Sequence, residues 1–382
     1  MRLESGFYRA EGWVWPAIGP TALPTAQLVL VFGAKQVLLQ DNVFDALRSR
    51  YPQAQLVAAS TAGEILGAHV QDDSAVATAV CLERGTVQAV STHIGKHGNS
   101  FEAGAWLMEQ LGQQPELQTV FVLSDGALVN GSELAAGLNA HGQGIAIAGG
   151  LAGDAARFEQ TLVAHNGPAE PGLVVAIGFY GKAIQFGHGS FGGWDEFGPE
   201  RTITRSDKNR LLEIDGRPAL ELYKTYLGPY AAELPGSALL FPLALREVGK
   251  PERLVRTILN LSEQDGSMVF AGNMPEGSTV RLMKASFDKL ITAAGIAASQ
   301  ANGHMAGQGP NQLAILVSCV GRKLVLQERA EDEVAAVRQA LRPDTHTIGF
   351  YSYGEISPYQ NELQTCDLHN QTMTITLLRE AL

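Results

Sequence analysis

Apolar and polar positions along this chain repeat with two different periods, and the order of those periods predicts a fold class. Gln27–Ala34 and Gln55–Ser60 are short apolar runs suited to buried strands, and Val43–Arg50 between them has helical spacing. Two further runs, Ala75–Leu82 and Thr86–Ile94, are joined by Glu83-Arg84-Gly85. So short a glycine-containing connection predicts an antiparallel hairpin. A helix (Phe101–Leu111), a strand (Gln118–Leu123), a helix (Ser132–Ala140) and three strands (Gly144–Ala148, Gln160–His165, Leu173–Tyr180) follow.

The second half repeats the rhythm. Thr279–Lys284 is strand-like, Phe287–Gln300 is helical and Gln312–Ser318 is an apolar strand. Glu331–Leu341 places Val334, Val337 and Leu341 on one helix face, and Thr347–Tyr351 and Thr372–Leu378 close the pattern as strands. The pattern predicts an α/β (α+β) protein of two domains, each a mixed sheet covered by helices, built on a duplicated strand-helix-strand-helix unit. Between the halves, Ala183–Tyr226 carries Gly187, Gly189, Gly192, Gly193, Gly198 and Gly216, a density that marks tight turns and close backbone approach. Arg217–Leu227 starts a helix with Pro218 in its first turn and Gly228 as its stop. The domain boundary is placed just before it, giving residues 1–216 and 217–382.

Composition narrows the function classes. The 382 residues are 45% hydrophobic and 18% charged, which excludes general disorder, and they exceed what one ordinary core accommodates. The net charge is −11 and Lys and Arg are scattered without a basic run, so neither nucleic acid nor an anionic membrane surface is an expected partner. Cys81, Cys319 and Cys366 lie far apart, in odd number and without CxxC spacing, which fits a reducing compartment. The first ten residues lack an apolar h-region and the longest apolar runs are too short to span a bilayer, so a cytoplasmic location is expected.

Enzyme signatures are missing. Each Gly-Lys pair lacks the spacing of a P-loop, Gly142-Gln143-Gly144 does not continue as a Rossmann fingerprint, and there is no HExxH. His188-Gly189-Ser190-Phe191-Gly192 lacks the first glycine of a nucleophile elbow. Gly349–Ile356 and His369–Thr372 instead gather aromatic rings, a carboxylate, an imidazole and an amide at strand ends, where polar groups can converge on a ligand. A non-enzymatic recognition pocket is the reading these segments support.

Several separated motifs together resemble the FIST family of sensory domains. They are Gly149–Asp154 with Arg157-Phe158, Gly193-Trp194, Phe197–Ser206, Asp215–Leu220, Cys319–Arg322, Tyr353–Ile356 and His369–Thr372. The resemblance runs from about Gln27 to Leu378 as a FIST N-terminal and a FIST C-terminal domain. It implies a small-ligand sensor. Amino acids have been proposed as ligands for such proteins, and one group of stand-alone members binds haem, responds to nitric oxide and controls a histidine kinase. No output domain is recognisable here, so signalling is expected to pass through a separate protein such as a histidine kinase, with haem b the favoured cofactor. An amino-acid or small-metabolite receptor is the alternative within the same class.

Individual residues carry these expectations. His188 and His369 share strand faces with apolar side chains and are the candidate iron ligands, the plainer reading being pocket histidines bonded to backbone. Glu355, after Tyr353-Gly354, could meet an ammonium group or pair with an arginine, and Tyr351 and Tyr353 could stack on a flat ligand or fill the core. Arg322 and Arg157 are candidate carboxylate anchors or interdomain ion pairs, and Asn370 adds an amide. Cys319 is either a small buried hydrophobe or, with His369 as base, the thiol of an enzyme. Asp154 should bond its own turn, while Ser60–Glu64 offers hydroxyls and amides to a cleft.

Overall fold

Three parallel strand pairs organise the chain: Leu28–Gly33 with Gln55–Ser60, Leu117–Ser124 with Ala146–Leu151, and Gln312–Cys319 with Thr345–Ser352. These and all other features come from a computed structural model that describes residues 1–9, 12–15, 23–142, 144–250, 253–305, 311–359 and 362–381. Parallel neighbours need a crossover. Helices Asp41–Arg50, Gly131–His141 and Ala330–Ala340 lie in the three crossovers. Beside the first strand of each pair runs an antiparallel strand, Ala75–Cys81, Leu173–Tyr180 or Met373–Glu380. Beyond that lies Arg2–Arg9, Thr86–His93 or Ile184–Phe191.

The repeat is therefore threefold, not the twofold duplication that the element order suggested. The other edge of each sheet is filled from a different unit. Glu64–Leu66, leaving the first unit, pairs with Thr345–Ser352 of the third. Val163–His165 leaves the second for Gln55–Ser60 of the first, and Gly354–Tyr359 leaves the third for Ala146–Leu151 of the second. This cyclic exchange covers edges that would otherwise expose unpaired backbone groups. Residues from all three units meet in one core, where Phe32 and Phe350 stack with ring centroids 4.5 Å apart.

Two features hid the period. Among the described residues the first unit shows no counterpart of the helices Ser100–Leu111 and Phe287–Gly303, and the third is interrupted by a lobe from Asp195–Asp207 to Thr279–Lys284. That lobe has its own sheet and its own apolar cluster, which includes Leu211, Leu220, Tyr223 and Phe270. Within the lobe, Arg217–Pro218 pairs with Arg210–Ile214. The helix begins at Ala219 and ends against Gly228 at φ 55°.

The expected hairpin does not form. Ala75–Cys81 belongs to the first sheet and Thr86–His93 to the second. Their connection turns between sheets because the buried Glu380 carboxylate accepts the backbone N–H groups of Glu83, Arg84 and Gly85 at 2.7–3.0 Å. The glycine-rich Ala183–Tyr226 stretch is mostly strand. Gly189 shows why glycine is needed there, because a Cβ would lie 2.0 Å from the Ala297 carbonyl oxygen of the covering helix.

Candidate functional site

Loops at the carboxyl ends of parallel strands are the places where α/β sheets open towards ligands. Here the second strand of each pair runs into a glycine followed by an acid: Gly63-Glu64, Gly153-Asp154 and Gly354-Glu355. All three carboxylates are buried. The loops interlock, with Gly153 donating to Ser60, Ala155 to Thr61, Ala62 to Tyr351 and Tyr353 to Leu151 through their backbones.

Each acid has a different environment. Glu64 accepts hydrogen bonds from Thr61 Oγ1 and Ser74 Oγ at 2.5 and 2.6 Å, yet burial pushes its pKa up to about 7. Glu355 accepts from Ser352 Oγ and Thr372 Oγ1, both at 2.8 Å, and burial pushes it up to about 8. A carboxyl raised this far by desolvation exchanges a proton near neutrality. Asp154 accepts the N–H groups of Phe158, Glu159 and Gln160 at 2.9–3.1 Å and the hydroxyl of Tyr353, with Lys35 Nζ 3.7 Å away. It thus bonds its own turn, as its sequence context suggested.

Two clefts of about 460 Å³ open at this end of the sheets, each within the range of small-molecule sites. One lies where the three units meet and is lined by Thr61–Glu64, Asp72, Asp73, Ala155–Arg157, Lys323 and Leu324. Its charges are of both signs. Lys323 Nζ donates to the Ala62 carbonyl at 3.0 Å and pairs with Asp72. Arg157 is exposed and has no hydrogen bond or ion pair among the described residues. The second cleft is lined by the loop at residues 126–131, Phe158, Glu159 and Tyr353 from the core and by Asn209, Leu259 and residues 270–272 from the inserted lobe.

Of the residues singled out from sequence, Arg157 lines the first cleft and Tyr353 the second. The others lie deeper. Arg322 is fully buried, pairs with Glu333 at 2.6 Å and donates to the carbonyls of Gly192 and Leu290 at 2.5 and 2.8 Å. Its guanidinium is used within the third unit instead of facing a cleft. Tyr351 is buried and gives its hydroxyl to Glu333 at 3.2 Å. Glu355 has no arginine partner; hydroxyls and one backbone N–H satisfy it. Cys319 is buried and its thiol pKa is driven up by that burial, so a thiolate is disfavoured at neutral pH.

Haem ligation needs an imidazole nitrogen facing a slot for a planar macrocycle. His188 Nε2 shares a hydrogen bond with Ser357 Oγ at 2.8 Å, and burial keeps the ring neutral with a pKa of about 3. His369 is lowered to about 4, chiefly by burial. Neither histidine lines either of the two clefts described above. The inner ends of the loops still hold unmatched polar atoms. His188 Nδ1, His369 Nε2 and both amide atoms of Asn370 and Gln371 are buried without hydrogen-bond partners.

Sequence reasoning placed Ser60–Glu64 at a cleft but gave Glu64 no titrating role, and it missed Asp72, Asp73 and Lys323. A signal for Glu64 existed in the thrice-repeated glycine-acid step. The lysine and the two aspartates carry no local motif.

Comparison with known proteins agrees with the sequence resemblance. Residues 27–217 match the FIST N domain and residues 219–358 the FIST C domain. None of the curated proteins matches the chain. Among solved structures, a chorismatase is similar at 12% identity and TM-score 0.36, over 99% of this chain and 98% of that one. A cyanuric acid hydrolase from A. caulinodans is similar at 10% identity and TM-score 0.36, over 94% and 92% of the two chains. Similarity at that score carries no functional argument.

Proposed function

Because the chain belongs to the FIST family, with its N domain followed by its C domain, we propose that it is a sensor for a small zwitterionic metabolite of amino-acid type. The proposed ligand sits in the cleft lined by Glu64, Arg157 and Lys323, where the three units meet. FIST domains are ligand-binding domains of signal transduction, so the class follows from the family and the ligand type from the cleft. One observation carries it: Glu64, buried and titrating near neutrality, shares a 460 Å³ cleft with the unpartnered guanidinium of Arg157. A carboxylate for an ammonium group and a guanidinium for a carboxylate are the two contacts a zwitterion requires. Occupancy would pass to a separate signalling protein such as a histidine kinase, which must distinguish the bound from the free form.

Calorimetric titration with a panel of amino acids, their amines and their deaminated acids tests this reading. Selective binding of zwitterions, lost in Glu64→Gln and Arg157→Ala, is the expected result. A panel in which nothing binds, or in which binding survives both substitutions, rejects it. Haem with nitric oxide as signal, the reading favoured from sequence resemblance, is checked in the same preparation by its visible spectrum. A stoichiometric Soret band lost in His188→Ala or His369→Ala would replace the zwitterion with haem.

A further inference from the structure

The second cleft differs from the first in chemistry. Among the described residues, Glu159 is the only formally charged one in its lining. Much of its wall is apolar, from Leu128, Val129, Leu151, Leu259, Phe270 and the stacked rings of Phe158 and Tyr353, 4.5 Å between centroids, with the amides of Asn130 and Asn209 and loop backbone between them. Large apolar side chains are usually covered, yet Leu128, Phe158 and Leu259 are 60%, 41% and 44% exposed around this one opening. The two walls come from different bodies, the core and the inserted lobe, and ligand sites favour such junctions.

We propose that this cleft is a second binding site, for a small arylalkylamine. An aromatic ring would fill the apolar space beside Phe158 and Tyr353, and its ammonium group would meet the Glu159 carboxylate. A cation near the face of an aromatic ring gains further attraction. An anionic ring compound finds no positive partner in the lining, and a zwitterion leaves its carboxylate unmatched. The two clefts therefore select for opposite features, although they share a segment: Ala155–Arg157 line the first, and Phe158 and Glu159 line the second.

Calorimetry with phenethylamine on the full chain, using 3-phenylpropionate as the ring-matched anion, tests the assignment. Saturable 1:1 binding of the amine is expected, with 3-phenylpropionate at least about tenfold weaker. Glu159→Gln and Phe158→Ala, both at exposed side chains, should each weaken the amine about tenfold or more. Glu64→Gln should leave it unchanged, which separates this site from the zwitterion cleft. Absence of amine binding to the folded chain, equal binding of the anion, or binding indifferent to both Glu159→Gln and Phe158→Ala would overturn the assignment.

Discussion

Tyr353 of the third unit donates its hydroxyl to the buried carboxylate of Asp154 in the second, and accepts the Phe158 N–H at 2.9 Å. The segment thus clamped contains two non-glycine residues in the left-handed region, Ala155 at φ 62° and Phe158 at φ 55°. Such conformations persist only when their surroundings hold them. The clamp therefore fixes the wall common to both clefts.

Tyr353→Phe should remove that link while keeping the ring stacked on Phe158. A hydrogen bond to a charged group contributes about 1.5–3 kcal/mol, so unfolding in urea should occur earlier by that amount. Because the wall loosens on both sides, ligands of the two clefts should both bind more weakly. A variant of unchanged stability would show that Asp154 is satisfied by its three backbone donors alone.

Stability should fall as pH rises above about 6.5, with the proton on Glu355 responsible for the last part. The folded chain holds Glu355 protonated up to about pH 8 and Glu64 up to about pH 7, whereas unfolded glutamates release theirs near 4.5. Folded protein then binds more protons than unfolded protein between those values, and stability declines with pH across them. His188 and His369 act in the opposite direction from about pH 3 to 6.5, since they are kept neutral when folded and charge when unfolded. Above that range the glutamates set the decline, joined towards pH 9 by the buried thiols of Cys319 and Cys366, which burial also keeps protonated, with a slope of at most about 1.4 kcal/mol per pH unit for each proton. Denaturation midpoints measured from pH 6.5 to 8.5 should flatten in Glu355→Gln. An unchanged slope would mean that Glu355 ionises at an ordinary value.

Arg322 and Arg157 were equal candidates in the sequence, and they should now behave in opposite ways. Arg322→Ala strands the buried Glu333 carboxylate, a loss of about 3–5 kcal/mol for a broken buried pair. Arg157→Ala touches no partner, so stability should change by no more than about 0.5 kcal/mol while zwitterion affinity falls. Chemical denaturation and calorimetry on the two variants give the comparison. Equal destabilisation would remove Arg157 from the cleft argument.

That contrast shows what was legible. Strands and helices were readable because each buries one face, and periodicity records burial. The polar segments that follow Gln55–Ser60 and Thr345–Ser352 were therefore readable as strand ends. Partners were not readable. Glu333 lies one helix away from Arg322, and Glu380 reaches the Glu83–Gly85 turn from nearly 300 residues further along, so neither contact leaves a local trace. The threefold plan was present in the glycine-acid steps, but the inserted lobe broke its spacing.

The thiol chemistry considered for Cys319 makes a final, separable prediction. The residue closes the buried Gln312–Cys319 strand, its backbone N–H is taken by the Thr372 carbonyl at 3.1 Å, and burial holds the thiol protonated. Only the thiolate attacks alkylating reagents, so native protein at neutral pH should leave Cys319 unmodified until it is unfolded. Peptide mapping after a timed iodoacetamide pulse measures this directly. Cys81, also buried, is the internal control. Labelling of Cys319 well ahead of Cys81 in folded protein would restore the reactive reading, and turnover abolished by Cys319→Ser would then make the chain an enzyme.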